Sequence, residues 1–144
     1  MGAIRFYGEK WPVAFWVFDG VQTDEDIDFY LSKLDEIHAK RQRFVTVSVM
    51  KKYRTNRQHL ARIAAWIKEN DELTHSLNLA SAMISTSAVF RFVLSSLFLI
   101  QPLRIPYLVC GSLEEAYAYV TKQMRAAGLP VPAGLSGFNP EPAR

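Results

Sequence analysis

The sequence predicts one α/β domain: a mixed, mostly parallel sheet covered by helices in the order ββαβαβαβα. Three observations carry this. Short β-prone runs alternate with helical periodicities along most of the chain, which is the signature of parallel strands joined by helical crossovers. Two such runs open the chain with only a turn between them, so they pair as a hairpin. A length of 144 residues with 49% hydrophobic content suits a single core of ordinary size.

The elements follow in order. Ile4 to Tyr7 is a short strand, and Gly8-Glu9-Lys10 is a turn. Val13 to Phe18 is apolar without a break, as expected of a central strand covered on both faces, and Asp19-Gly20 ends it. Thr23 is a good N-cap for the first helix, and Asp24, Glu25 and Asp26 crowd the turn where the helix dipole favours negative charge. Ile27, Tyr30, Leu31, Leu34 and Ile37 then recur at helical spacing. Phe44 to Met50 is a valine-rich strand, followed by a second helix capped by Thr55 or Asn56, with Leu60, Ile63, Ala64 and Ile67 on one face. Leu79 to Ile84 is the next strand. Ser85-Thr86-Ser87 caps a third predicted helix that runs to about Ile100 and is stopped by Pro102. Tyr107 to Cys110 is the last strand. The final helix carries Leu113, Ala116, Tyr117, Val120 and Met124 inward and ends at Gly128. The domain therefore spans 1–128. The stretch from 129 to 144, with four of the seven prolines, reads as a flexible tail that buries little.

This order of elements, with segments such as Ala65-Trp66-Ile67-Lys68-Glu69-Asn70 and Leu103-Arg104-Ile105-Pro106-Tyr107, resembles the STAS family over about Ile4 to Ala127. That family comprises bacterial anti-sigma-factor antagonists and related modules, some of them described alongside the CRAL-TRIO lipid-binding family. The resemblance implies a regulatory module with a phosphorylatable Asp-Ser pair before the second helix. The matching loop, Met50 to Asn56, has no such pair, and Thr55 is its one candidate phosphorylation site besides Tyr53. A phosphate there would sit beside Arg54, Arg57 and a helix start.

No catalytic constellation, metal-ligand spacing or cofactor fingerprint is present. His38, His59 and His75 stand apart and read as surface or boundary residues, and Cys110 falls in a buried strand. The lone cysteine points to a reducing cytoplasm, and no segment has the roughly 20 apolar residues of a membrane span. A net charge of +3 is too small to imply nucleic-acid binding.

Two features point to partners. No acidic residue occurs between Glu36 and Glu69, and Lys51, Lys52, Arg54 and Arg57 cluster on one strand-to-helix loop, at the edge where parallel sheets usually bind ligands. The third predicted helix is apolar nearly all round. With Val89, Phe90, Val93, Leu94, Leu97 and Ile100 inward, Phe92, Phe98 and Leu99 are left near the solvent face beside Arg91. The leading expectation is a non-enzymatic interaction module that buries these side chains against a protein partner or a second copy. Binding of a lipid or other apolar small molecule is the alternative, motivated by Trp11, Phe15, Trp16, Phe18, Phe90 and Phe92.

Overall fold

The computed structural model describes residues 2–142. It is the expected α/β architecture: a five-stranded sheet in the order β1-β2-β3-β4-β5. β1 (Ile4–Tyr7) and β2 (Val13–Val21) form the antiparallel hairpin, and β3 (Phe44–Arg54), β4 (Asn78–Ile84) and β5 (Tyr107–Cys110) add in parallel. α1 (Asp24–Ala39), α2 (Arg57–Glu69), α3 (Asp71–Leu77) and α4 (Ala88–Ile100) fill the crossovers, and α5 (Leu113–Ala126) follows β5.

This strand order dictates where the helices go. Every crossover steps the same way across the sheet, and parallel crossovers keep one hand, so all the crossover helices fall on one face. Ile27 and Ile37 of α1, Ile63 and Ala64 of α2, Leu77 of α3 and Leu97 of α4 form one core with Ala14, Trp16, Phe18 and Phe44. α5, which follows β5, packs on the other face. There Ala116, Tyr117, Val120 and Met124 pack on Val13, Phe15, Val17, Val45 and Val47. Alternate residues of β2 thus feed two cores, which is why Val13 to Phe18 are all buried.

Local signals explain the boundaries. Thr23 makes a capping box with Asp26, and Ser87 and Ser112 cap α4 and α5. Asn56, not Thr55, caps α2, accepting from the His59 backbone N–H at 2.9 Å. Gly20 does not end β2: it takes φ 88, a left-handed angle costly for a side chain, where the pairing with β3 shifts register, and the strand continues to Val21. The short helix α3, which the periodicity does not reveal, occupies the turn before β4.

The segment 129–142, expected to be a flexible tail that buries little, packs against the domain instead. Leu129, Val131 and Phe138 pack against the α5-side core, and Leu135 is only 3% exposed. The Tyr117 hydroxyl donates to the Phe138 carbonyl at 2.6 Å, and the Phe138 ring meets Phe15 edge-on at 5.6 Å. Glu141 accepts from both Nε and Nη2 of Arg5 at 2.6 Å and from the Tyr7 hydroxyl, and lies 3.6 Å from Lys51. Arg5 and its other partners hold the Glu141 carboxyl well below its ordinary value, at about 2. A proline-rich segment can bury little by itself, but here α5 and β1 supply the surface it lacks.

Candidate functional site

A cavity of about 150 Å³ lies between the sheet and α1–α4. Its floor is the inner face of three strands: Trp16 and Phe18 of β2, Thr46, Ser48 and Met50 of β3, and Ser81 and Met83 of β4. Its roof includes Leu34 of α1, Ile63 and Trp66 of α2, and Leu94 and Leu97 of α4. Lining residues run from Phe44 to Tyr53 along β3, roughly 30 Å of strand at 3.3 Å per residue. The space is therefore elongated.

The polar groups gather towards the starts of β3 and β4. Phe44 pairs with Asn78 and Thr46 with Ser81, so β4 carries one more residue than β3 across this interval. That bulge turns both Asn78 and Ser81 to the cavity side, while Ala80 and Ala82 feed the opposite core. Asn78 Nδ2 donates to Thr46 Oγ1 at 3.2 Å, and the Asn78 backbone N–H donates to the Thr74 carbonyl. His38 packs between Phe44, 6.2 Å away, and Trp66, 5.0 Å away. His38 Nδ1, Thr74 Oγ1 and Asn78 Oδ1 are all buried without a hydrogen-bond partner. One orphan polar atom costs about 1–3 kcal/mol, and three of them belong to residues that line the cavity, while Gln22 and Thr55 hold three more outside it.

Electrostatically the cavity is neutral. No Asp, Glu, Lys or Arg is among the lining residues. Burial pushes the His38 imidazole below its ordinary value, with Asp35 opposing and Arg41 assisting, so the ring is uncharged at neutral pH. Burial likewise pushes the Tyr30 and Tyr53 phenols up, keeping both protonated.

The residues singled out from the sequence fare unevenly. Phe92 and Leu99 are 72% and 86% exposed, and Arg91 is exposed beside them. Phe98 is not on that surface: it is half-buried, packs on the α1–α4 core and meets Tyr107 at 5.3 Å. Val89 and Ile100, expected inside, are exposed instead. The helix is turned by roughly 40° from the expected phase, at 100° per residue, about an inward arc centred on Phe90, Leu94 and Leu97. The basic group is not a loop. β3 continues through Lys51, Lys52 and Arg54, Lys51 faces Glu141, and Lys52, Arg54 and Arg57 are exposed. Thr55 Oγ1 is enclosed without a partner, so a kinase would reach it only after the segment moved.

His38 and His59 are buried rather than peripheral, and His59 Nε2 lies 2.8 Å from Asp24 Oδ1, giving the acidic first turn of α1 a tertiary partner. Of the aromatic residues behind the small-molecule alternative, Trp16, Phe18 and Phe90 line the cavity. Phe15 belongs to the other face, and Phe92 is exposed. Thr46, Ser48 and Ser81 carry the signal sequence reading missed: hydroxyls inside otherwise apolar strands. Among the described residues no three His, Cys, Asp or Glu side chains are grouped to hold a metal ion, and no helix is long and apolar enough to cross a membrane. No family model, characterised protein or solved structure matches this chain.

Proposed function

We propose that this protein is a non-enzymatic binding module whose cavity takes up a small apolar molecule. One observation carries the reading: a core that should close at normal packing density instead leaves about 150 Å³ beside three unpartnered polar atoms. A cavity of that size is large enough to take up a small organic molecule. The strand order supports an internal site. It never reverses direction, so it provides no crevice at the carboxyl edge of the sheet. The resemblance to STAS proteins belongs to the same proposal, without the phosphorylation switch.

Titration with the neutral fluorophore N-phenyl-1-naphthylamine tests the reading. The expected result is saturable one-to-one enhancement, competed by 1-octanol and lost in Ser48→Leu and Ser81→Leu, which fill the floor. Absence of saturable binding, or binding unaffected by filling, overturns it.

The outer face of α4 supports a second reading, an interface for a protein partner or a second copy. Val89, Phe92, Leu99 and Ile100 form one exposed stripe. Phe90, on the buried side of α4, packs against Tyr53 at 5.5 Å, which ties the start of the helix to the end of β3. Arg91 is exposed on the same helix and suits an acidic rim around an apolar contact. Sedimentation and partner capture with Phe92→Asp/Leu99→Asp test it: unchanged mass and unchanged capture remove this reading.

A further inference from the structure

The wall of the cavity specifies more than apolarity. We infer that the ligand is an uncharged amphiphile, a long apolar body with one neutral hydroxyl or carbonyl group, seated with that group against His38, Thr74 and Asn78. This rests on the cavity being a binding site.

Charge sets the first limit on the ligand. An anionic headgroup moved into this space would lose its water and find no Lys or Arg among the lining residues. Desolvating an unpaired carboxylate costs far more than desolvating a hydroxyl. His38 offers no cationic replacement, because its burial between Phe44 and Trp66 keeps the imidazole neutral. A fatty-acid anion or a phosphate ester therefore does not suit this wall.

The position and chemistry of the orphan atoms set the second limit. Thr74 and Asn78 lie one helical turn apart, joined by the backbone bond from Asn78 to the Thr74 carbonyl. Asn78 pairs across the sheet with Phe44, whose ring neighbours His38. The three orphans thus cluster at one end of the elongated space. Asn78 Oδ1, an amide oxygen, only accepts, while one of its amide hydrogens goes to Thr46. Thr74 Oγ1 donates or accepts, and neutral His38 Nδ1 does one or the other. One hydroxyl, which both donates and accepts, satisfies two of these atoms, and a carbonyl oxygen satisfies the Thr74 donor. Towards the other end the lining is Phe18, Met50, Tyr53, Phe90 and Leu94, which suits an aliphatic or ring body.

The test compares 1-octanol, sodium octanoate and n-octane at pH 8 by competition against the fluorophore, on the full chain and on Thr74→Val/Asn78→Leu. Octanol is expected to bind at least about tenfold more tightly than octanoate. Its advantage over octane should fall by about tenfold in the double variant, the worth of one good hydrogen bond. Should that variant fold poorly, Thr74→Val alone supplies the comparison, with a smaller loss. Octanoate binding as well as octanol overturns the inference and leaves the cavity reading standing. So does an octanol preference that the variants leave untouched. Failure of all three probes to bind removes the cavity reading itself.

Discussion

The two faces of one sheet are covered in different ways. On one side α5 and the segment 129–142 close over β1–β4, and among the described residues none of the buried unpartnered polar atoms belongs to that core. On the other side four helices cover the same strands and leave a cavity walled by such atoms. The difference follows from tethering. α5 packs with the segment that follows it on one apolar surface, and Glu141 of that segment is fixed on Arg5. α1, α2, α3 and α4 are each held between strands, so their spacing is set by the sheet and the connections as well as by side-chain fit. A face built from doubly held helices can keep space between them and the sheet. Both faces bury an apolar core, and the cavity lies on only one of them.

The largest effect that tests this contrast is on the closed face. Phe15→Ala should cost about 3–5 kcal/mol in urea unfolding, whereas Met50→Ala, beside space that already exists, should cost less than about 2 kcal/mol. Equal losses would mean that the two faces are packed alike. Next in size is the clasp. Glu141→Gln should cost about 2 kcal/mol at pH 7, because it leaves Arg5 with a weaker partner in a largely buried position. The sign of its pH dependence follows from a carboxyl depressed on folding. Its contribution is complete above the ordinary value of 4.5 and is lost as pH falls from there through about 2, so wild type and variant should converge over that window. Convergence near neutral pH would show that the clasp does not act through this carboxylate.

Smaller still is the response of the open face to filling. Ser81→Val adds apolar volume to the cavity floor on a strand that favours β-branched residues, and should raise stability by about 1 kcal/mol while weakening fluorophore binding. A loss of stability would show that the space is already occupied by packed side chains. The smallest expected effect is at the outer stripe. Phe92→Asp/Leu99→Asp should change monomer stability by no more than about 0.5 kcal/mol per site, since both side chains are solvated in the single chain. A larger loss would place them in an interface already formed in solution.

Much of the architecture was legible in the sequence because it depends on short-range chemistry. Thr23 and Asp26 cap α1 through atoms three residues apart, and Val13 to Phe18 announce a strand with two covered faces. Alternation of strands and helices, with one handedness for crossovers, leaves few sheets to choose from. The helix at 88–100 was equally plain, since its cap and its stop are local. Its rotation was not, because apolar residues occur all round it, and Phe98 turns in against Tyr107 while Ile100 turns out.

The same limit explains the tail and the cavity. Leu135, Phe138 and Glu141 gain their partners from α5, β2 and β1, between about 20 and 136 residues away along the chain, and no local pattern encodes such a meeting. Thr46, Ser48 and Ser81 are visible as hydroxyls in strands, but the emptiness beside them is a property of how far the helices stand from the sheet. Local chemistry determined which elements this protein has. The distances between them, and so the space in which a ligand could sit, were decided only when the strands and helices closed on one another.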